Sequence, residues 1–390
     1  MERSTVSPLA AMTAAAADPA GYAEEWKART GGKAIAVFPM NFPAEIAHAA
    51  GLLPVIVQED RNPITLGNNL LSEFNCGYSR NLADQAATGR LDGYDGFFMA
   101  DHCIQLIGAA DVIRELTDRR FHFGQLISSM NDAWTPEQAR LTMADFVTEL
   151  SAFAGVEITD ERLRDSIRTY NRGRRLLRAL YEQRRAGDAR FTSGDLQTMV
   201  KSSMVMAREE HNALLAELVE QSAAAPRDRR VRVHLSGHFC HAPKRELLDL
   251  VEESGGIVVD DDLFHGARYI STDARETGSP VVALVAQYLD RNVNIPCPTR
   301  AQSDVDWDTY LLDAVERSGA EVVISLLVKY CEPHMLYLPE LRKALDAKGI
   351  PHLLLETEHE GMPLETMRTR IEATFEQALL VRTRKPVPTA

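Results

Sequence analysis

The chain has 390 residues, of which 45% are apolar and 25% are charged, so a globular protein with room for two or more domains is expected. The net charge of -13 and the lack of a dense run of Lys and Arg argue against a nucleic-acid partner. The Ala-rich N-terminus is interrupted by Pro8, Asp18 and Pro19, and no apolar window approaches the roughly 20 residues of a membrane span, so we expect a cytoplasmic protein without a membrane partner.

A first α/β domain is predicted over residues 34–134, after an N-terminal extension of residues 1–33. The stretch "KAIAVFPMNFPAEIAHAAGLLPVIV" indicates a strand, a helix from about Pro43 to Ala50 and a second strand from Leu53. Gly51 is well placed to end the helix, because glycine adopts the left-handed backbone conformation of helix C-termini. This pattern is a strand-helix-strand unit.

A later strand of the same domain, "GFFMA", ends at Met99 or Ala100, where the sequence changes character. In an open parallel sheet the carboxyl end of a strand is where ligands collect. Residues after this strand are therefore candidates for a functional site.

A helical section is predicted from residue 135 to residue 225. Runs such as "MADFVTELSAFAG" and "KSSMVMAREEHNALLAELVEQ" have apolar residues three and four positions apart, which is typical of amphipathic helices. The segment from Ser222 to Arg230, "SAAAPRDRR", is interpreted as a linker to the next domain.

A second α/β domain is predicted over residues 226–390. The strand "RVRVHLSG" precedes the helix "PKRELLDLVEESG" and the strand "GIVVDDD", and the alternation continues through "DWDTYLLDAVERSG", "AEVVISLLVKY", "YLPELRKALDAKG" and "IPHLLLETE". Helices that end in glycine and are followed by apolar strands favour a parallel, doubly wound sheet. The fold class expected is α/β, with two Rossmann-like or flavodoxin-like parallel-sheet domains joined by a helical section.

The cysteines are the residues most able to carry chemistry. Cys103, Cys240 and Cys331 each follow a predicted strand, whereas Cys76 lies in a polar loop. If both sheets face one cleft, several thiols converge there, which suits a metal site. The close Cys pairs of structural zinc sites do not occur, whereas iron-sulfur clusters accept irregular spacing. The alternative is that a reduced cysteine packs as a small apolar residue, the role favoured for Cys240 and Cys297.

Histidines lie close to these cysteines in the sequence. His234, His238 and His241 surround Cys240 in "HLSGHFCHAP", but no second cysteine or carboxylate pair completes a zinc site, so a role at the helix start or facing a substrate is favoured. His102 and His334 are each within three residues of another cysteine. Each is a candidate proton donor or hydrogen-bond partner of a thiolate, with a core or surface role as the alternative.

Other motifs narrow the chemistry. The acidic run Asp260 to Asp262 follows a strand and resembles a Mg²⁺ site, but we favour helix capping or solvation for these carboxylates. No G-x-x-x-x-G-K-[ST] or G-x-G-x-x-G motif is present, so the chain is not expected to hydrolyse ATP itself. The lack of a G-x-S-x-G motif argues against an α/β-hydrolase.

The ordered set of motifs resembles one known family. "FPAEIAHAAGLLPV", "FNCGYSR", "ADHCIQ", "SGHFCHAPKRELLDLVEESGGIVVDDDLFHGARY", "PCPTR", "VKYCEPHMLYLPEL" and "TRIEATFEQ" occur in the order seen in the 2-hydroxyacyl-CoA dehydratase and benzoyl-CoA reductase family. The resemblance extends from about Ala34 to Ala378 and is more specific than any single motif.

The resemblance implies a cofactor and partners. It implies one 4Fe-4S cluster in this chain, held by Cys76, Cys103 and Cys331, whereas Cys240 and Cys297 are not expected ligands. It also implies a homologous larger cluster-bearing subunit facing this one around an acyl-CoA site. Separate ATP-hydrolysing iron-sulfur activator subunits would supply single low-potential electrons, in agreement with the missing ATP-binding motif.

Within the family the chain is most similar to the smaller cluster-bearing subunit of ATP-dependent benzoyl-CoA reductases, designated gamma. The resemblance thus implies an oxidoreductase subunit that carries electrons to the aromatic ring of benzoyl-CoA and yields a cyclohexadiene-carbonyl-CoA. The alternatives are a subunit of a 2-hydroxyacyl-CoA dehydratase that acts through a ketyl radical, and a non-catalytic electron-relay partner. No catalytic residue is assigned.

Overall fold

The computed structural model describes residues 7–221, 229–237 and 240–384. In these ranges the chain forms two four-stranded parallel sheets and a helical section between them, which confirms the predicted α/β class with two parallel-sheet domains. None of the helices in these ranges has the length and apolar character that crossing a bilayer requires. Most of the predicted linker, residues 222–228, lies outside the described residues.

Two helices form in the N-terminal extension, for which the sequence pattern predicted no structure. The Ser7 hydroxyl accepts a hydrogen bond from Ala10 N–H and the Asp18 carboxylate accepts one from Gly21 N–H, so both side chains act as N-caps. Pro8 and Pro19 occupy the first helical positions, where a missing N–H costs nothing. The helices are α1 (Pro8–Ala17) and α2 (Pro19–Thr30).

The first sheet has the strand order β2-β1-β3-β4, and all its strands are parallel. The strands β1, β2 and β3 are fully buried, because helices and the helical section cover both faces. The elements are β1 (Ala34–Val37), α3 (Ala44–Ala49), β2 (Leu53–Ile56), α4 (Gly67–Leu70), α5 (Gly77–Ala87), β3 (Gly96–Ala100), α6 (Ile104–Leu116) and β4 (Arg120–Gly124).

The helical section packs against the first sheet and begins where the sequence predicted it. Arg174 and Glu45 form a buried ion pair of 2.8 Å between this section and α3, so the attachment is polar as well as apolar. The helices are α7 (Thr135–Ala154), α8 (Asp160–Ala186), α9 (Ser193–Ser203) and α10 (Arg208–Glu220).

The second sheet has the order β6-β5-β7-β8, the same topology as the first. In both sheets the order reverses between the first and third strands, and ligands bind at such a switch point. The elements are β5 (Val231–Gly237), α11 (Arg245–Glu253), β6 (Gly256–Asp261), a π-helical turn (Phe264–Arg268), α12 (Pro280–Asn294), α13 (Trp307–Ser318), β7 (Val322–Val328), α14 (Glu332–Lys348), β8 (His352–Thr357) and α15 (Leu364–Arg384).

One continuous hydrophobic core joins the two halves. It includes Phe98 of β3, Met199 of α9 and Val323 of β7, whereas a second, smaller core lies between the second sheet, α11 and α15. Because the halves share a core, the carboxyl edges of the two sheets are held in a fixed relation to each other.

The start of α14 differs from the prediction. The predicted helix segment "YLPELRKALDAKG" starts at Tyr337, but α14 begins at Glu332, with Pro339 inside it. Pro333 fits the first turn, and Met335 N–H donates to the Cys331 carbonyl over 3.0 Å. Cys331 is therefore the residue that starts the helix, rather than one held from behind by it.

The predicted solvation of Asp260 to Asp262 is wrong, because all three carboxylates are buried. Asp260 pairs with Arg185, and Asp261 accepts hydrogen bonds from Tyr181 and from backbone N–H groups of the π-helical turn, which is a capping role. Asp262 accepts hydrogen bonds from Ser236, Gly237 N–H and Trp307.

Candidate functional site

Three helix N-termini meet at one cavity between the two sheets. Cys76, Cys103 and Cys331 are the N-cap residues of α5, α6 and α14, and all three side chains line this cavity. A helix N-terminus carries partial positive charge and stabilises thiolates. The structure thus places the three cysteines predicted as ligands along the wall of one cavity.

The cavity has a volume of about 500 Å³ and a mostly apolar wall. Residues of both domains line it, at the carboxyl ends of β3, β5 and β7. The lining residues are Cys76, Asp101, His102, Cys103, Ile104, Gln105, Ile107, Ser128, Cys240, His241, Pro298, Thr299, Arg300, Val328, Cys331, Glu332, Pro333, His334, Leu336 and Tyr337.

Gln105 braces two of the cysteine segments. Its Oε1 accepts a hydrogen bond from Cys76 N–H over 2.6 Å, and its Nε2 donates to the Tyr330 carbonyl over 2.8 Å. Tyr330 precedes Cys331 and has a φ of 66°, a left-handed conformation that few residues other than glycine adopt. One side chain of the first domain therefore holds the strained turn that places Cys331 in the second.

Cys240 lies beside Cys103, which the sequence did not predict. The thiols of the two residues hydrogen-bond to each other, and this contact is the main cause that lowers the pKa of Cys103. The first backbone amides of α6 lower the Cys103 pKa further. The pKa of Cys240 is raised by the same contact, by burial and by the proximity of Cys76 and Cys331. The three other thiols of this cavity therefore all raise the pKa of Cys240.

Cys331 is a buried thiol whose charge needs compensation. Burial raises its pKa to about 12, and the neighbouring cysteines raise it as well, whereas the His334 backbone N–H at the start of α14 lowers it. A bound cation that takes thiolates as ligands would supply the missing compensation.

A carboxylate and two histidines link the domains next to Cys76. Glu59 accepts hydrogen bonds from His241 over 3.0 Å and from His359 over 2.6 Å. His241 also hydrogen-bonds to the Cys76 thiol, and Glu59 raises the pKa of this histidine to about 10 against the effect of burial. The imidazolium of His241 is thus held between the Glu59 carboxylate and the Cys76 thiol.

Arg300 fixes the loop that follows β3. Its guanidinium donates to the Asp101 carbonyl over 2.9 Å and to the His102 carbonyl over 3.2 Å, and Asn41 donates to the same Asp101 carbonyl over 2.6 Å. These contacts determine where Cys103 enters the cavity. Burial and the nearby Arg300 charge hold the pKa of His102 well below its usual range, so this histidine is neutral.

His334 is a second neutral histidine of the cavity. Burial lowers its pKa to about 4, and its ring packs against Trp307 with the ring centres 5.2 Å apart. Both histidines that the sequence singled out therefore lie in the cavity wall, but neither carries the charge of an imidazolium. Their role as proton donors stays a prediction.

Other candidate residues lie elsewhere. Cys297 is buried outside the cavity wall, with its sulfur 3.1 Å from the Thr299 hydroxyl and its N–H bound to Asn292 over 2.9 Å. His234 is buried 3.8 Å from Asp262, and His238 lies outside the described residues. The predicted packing role suits Cys297, whereas Cys240 is a cavity residue as well as a packed one.

The donor set fits a polynuclear iron-sulfur cluster better than a single ion. In the described part of the chain no three His, Cys, Asp or Glu side chains are arranged to hold one metal ion. Four thiols around one cavity, three of them at helix N-termini, match the all-sulfur preference of iron-sulfur clusters and the negative charge of a thiolate-bound cluster. Cys76, Cys103 and Cys331 are the residues predicted to hold it.

The sequence missed the residues that support the cysteines. Gln105 is two positions from Cys103, but its partners lie 29 and 225 positions away, so no local pattern marks it. Glu59 follows a strand end, which is the one signal that pointed to its position. Arg300 follows the "PCPT" motif but contacts a loop about half the chain away.

Comparisons with known proteins identify the family of this chain. A family model described as "2-hydroxyglutaryl-CoA dehydratase, D-component" matches residues 39–378. A benzoyl-CoA reductase subunit of Thauera aromatica is 25% identical over 89% of this chain and 91% of its own length. The (R)-phenyllactyl-CoA dehydratase beta subunit of Clostridium sporogenes is 25% identical over 92% of this chain and 95% of its own. The (R)-2-hydroxyglutaryl-CoA dehydratase subunit beta of Acidaminococcus fermentans is 24% identical over 92% and 96%.

Proposed function

Because this chain belongs to the 2-hydroxyglutaryl-CoA dehydratase D-component family, we propose that it is the iron-sulfur subunit of an ATP-dependent benzoyl-CoA reductase. In this role it passes low-potential single electrons towards the aromatic ring of benzoyl-CoA for dearomatisation to a cyclohexadiene-carbonyl-CoA. The relatives are subunits of dehydratases and a reductase, which supports a role as an enzyme subunit.

The observation that carries the proposal is the convergence of Cys76, Cys103 and Cys331 on one cavity. A 4Fe-4S cluster held there supplies one-electron chemistry at low potential. Cys76, Cys103 and Cys331 stand at the N-termini of α5, α6 and α14, whose partial positive charge favours anionic ligands, and the His241 imidazolium lies next to Cys76. The chain thus provides positive partial charge where the cluster would place negative charge.

The apolar side chains of the cavity would exclude water once a partner covers its mouth. Ile107 and Val328 line its inner part, Ile104 and Leu336 lie exposed at its edge, and His102 is neutral. A dry site protects reactive reduced species from solvent and strengthens electrostatic interactions. These residues suit a site where an electron must leave in one direction only.

Partners complete the proposed enzyme. Ile104 and Leu336 line the cavity with 74% and 78% of their surface exposed, and Phe74, 66% exposed, packs its ring against Tyr330 beside Cys331. Exposed apolar side chains of this kind fit a protein interface. We assign it to the homologous larger cluster-bearing subunit. Separate ATP-hydrolysing iron-sulfur activator subunits are required as well, because this chain has no ATP-binding motif.

A 2-hydroxyacyl-CoA dehydratase is the second candidate function. This chain is 25% identical to the phenyllactyl-CoA dehydratase beta subunit, as it is to the reductase subunit, and the match includes 95% of the dehydratase subunit against 91% of the reductase subunit. In this case the same cluster would serve a ketyl radical reaction. Both candidates use the same three cysteines, so substrate assays must separate them.

The cluster is tested by anaerobic iron and sulfide analysis with electron paramagnetic resonance. We expect about four irons per chain, and loss of most of them on Cys103→Ser, because a ligand at a helix N-terminus is removed. Cys297→Ser is the matched control, since this buried cysteine is outside the cavity wall, and it should retain the iron. A folded wild-type chain without iron contradicts the proposal.

The reaction is tested by reconstituting the chain with its larger subunit and activator subunits. ATP-dependent consumption of benzoyl-CoA supports the reductase. Dehydration of an (R)-2-hydroxyacyl-CoA with no turnover of benzoyl-CoA supports the dehydratase and rejects the reductase.

A further inference from the structure

We infer that His102 donates a hydrogen bond through its Nε2–H to a sulfur of the bound cluster, and that Asn41 and Arg291 position its ring for this contact. The inference rests on the proposed function and deepens it, because it assigns residues that set the reduction potential of the cluster. It leaves the three predicted cysteine ligands unchanged.

His102 is a buried residue of the cavity wall. It is 2% exposed and directly precedes Cys103, the predicted ligand at the start of α6. Within the described ranges its Nε2 is a buried atom without a hydrogen-bond partner. A buried polar nitrogen that lacks a partner destabilises the fold, so this atom indicates a group that binds from the cavity.

The orientation of the Asn41 amide follows from its two other partners. Arg291 Nη2 donates to Asn41 Oδ1 over 3.0 Å, and because a guanidinium has no acceptor, the amide oxygen must face Arg291. Asn41 Nδ2 is then the donor on the other side, where it donates to the Asp101 carbonyl over 2.6 Å. The two contacts require the same orientation of the amide.

This orientation determines which ring nitrogen of His102 carries the proton. Asn41 Nδ2 lies 3.5 Å from His102 Nδ1, so an N–H group faces this nitrogen and Nδ1 is the acceptor. The proton of the ring is therefore on Nε2, which makes the nitrogen without a partner a donor. Arg300 holds the backbone beside the ring by donating to the His102 carbonyl over 3.2 Å.

The backbone before Asn41 is strained in the same way as the backbone before Cys331. Among the described residues, Met40 and Tyr330 are the non-glycine residues with a positive φ, at 81° and 66°. Met40 directly precedes Asn41, and Tyr330 directly precedes Cys331. Strain of this kind is frequent at functional sites, where the surrounding contacts maintain it. The turn that carries Asn41 is therefore part of the site.

A hydrogen bond to a cluster sulfur has a functional consequence. The added electron increases the negative charge on the sulfur, so the hydrogen bond is stronger in the reduced state and raises the reduction potential. His102 would thus make the cluster easier for the activator to reduce. Its loss should lower the ratio of reduced to oxidised cluster at a fixed potential about tenfold, which is about 59 mV for a one-electron couple.

A matched pair of uncharged variants tests the donor. The amide nitrogen of glutamine reaches the position of a histidine Nε2, whereas the shorter side chain of asparagine reaches only that of Nδ1. By voltammetry of the iron-loaded chain, His102→Gln should keep the reduced-to-oxidised ratio within about twofold of the wild type, and His102→Asn should lower it about tenfold. Equal midpoint potentials for the two variants overturn the inference.

Pulsed electron paramagnetic resonance of the reduced cluster gives a readout that a merely structural role would not change. With isotope-labelled nitrogen only in the imidazole rings, the wild type should show a coupling to the cluster that both variants lack, and a wild-type spectrum without any such coupling overturns the inference. If neither variant folds, Asn41→Ala keeps the His102 ring but removes the amide that orients it, so the coupling should change in size. A spectrum identical to that of the wild type then contradicts the role of Asn41 and His102.

The two proposals fail in different ways. A wild-type chain that binds no cluster rejects the proposed function together with this inference. A wild-type chain that binds about four irons but has the same potential and the same ring couplings as His102→Asn rejects only the hydrogen bond from His102.

Discussion

The two sheets have the same strand order and deliver cysteines from equivalent places. The third strand of each, β3 and β7, leads to a cysteine that starts the next helix, Cys103 in the first domain and Cys331 in the second. The segment after the first strand differs: Asn41 holds the Asp101 carbonyl after β1, whereas Cys240 enters the cavity after β5. The shared topology thus determines which segments meet at the cavity, and the residue type at each position determines which ligand or partner that segment can bind.

Carboxylates that follow the second strand of each sheet show how partners set charge. Glu59 follows β2 and its pKa is held far below the usual range, because His241 and His359 outweigh the effect of burial. Asp261 ends β6, and burial raises its pKa from 3.8 to about 6, with hydrogen bonds from Tyr181 and Ala267 N–H opposing the rise only in part. The ionised carboxylate is therefore stabilised by its partners at Glu59 in the first domain and destabilised by burial at Asp261 in the second.

The largest effect is expected from Glu59→Gln, which removes the charge that pairs with two buried histidines. We expect the free energy of unfolding, measured by urea denaturation at pH 7, to fall by about 4 kcal/mol, since breaking a buried ion pair leaves its partners uncompensated.

The control for this variant is Glu209→Gln. Glu209 pairs with His48 over 3.0 Å but is 64% exposed in its side chain, so its loss should cost below about 1 kcal/mol. If the two variants lost the same free energy of unfolding, burial would not explain the expected effect of Glu59→Gln.

Asp261→Asn should have the opposite sign. A folded-state pKa raised from 3.8 to about 6 penalises the fold fully above pH 6, and the penalty is lost as the pH falls from 6 to below 3.8, where both states are protonated. At about 1.4 kcal/mol per pKa unit, the variant should be more stable than the wild type by about 3 kcal/mol at pH 8 and equally stable near pH 3.

Asp262→Asn is the matched comparison, because it alters the adjacent residue. The pKa of Asp262 is lowered by His234 and by hydrogen bonds that outweigh burial, so this variant should be less stable than the wild type at pH 8. Urea denaturation at the two pH values checks both, and a destabilised Asp261→Asn at pH 8 contradicts the assignment.

The smallest effect is expected from Gln105→Ala, which removes the side chain that hydrogen-bonds to Cys76 in the first domain and to Tyr330 in the second. Two hydrogen bonds are lost, and we expect the free energy of unfolding to fall by about 1 to 2 kcal/mol. Hydrogen exchange at the Cys76 amide should accelerate. Gln105→Glu keeps the acceptor for Cys76 N–H, so unchanged protection in this variant and lost protection in Gln105→Ala would identify that bond.

The fold followed from the sequence where local patterns were strong. Apolar strands ending at Ala100 and Gly237 and the helices from residue 135 onwards were predicted in the right places. The predicted segment "YLPELRKALDAKG" began α14 five residues too late, because Pro333 in "CEPHML" lies in the first turn of the helix, where proline is tolerated. For Asp260 to Asp262 the sequence favoured helix capping or solvation; Asp261 has a capping role, but the burial of all three was missed because their partners lie in distant segments.

The candidate site followed from the sequence in part. Cys76, Cys103 and Cys331 were predicted as partners through an ordered resemblance, and all three line one cavity. Cys240 was assigned to packing, because nothing in "GHFCHAPK" indicates which thiol it faces. Gln105 was passed over for the same reason, since a single glutamine on a helix has no pattern of its own.

The sequence by itself determined the alternation of strands and helices, the absence of an ATP-binding motif and the set of cysteines at strand ends, because these depend on residue type and spacing along the chain. Only the tertiary structure decided that a fourth thiol lines the cavity and that Glu59 of one domain raises the pKa of His241 in the other. It also decided that the pKa of Asp261 is raised whereas that of Asp262 is lowered. Those properties depend on burial and on contacts between segments that are far apart in the chain, which residue spacing does not encode.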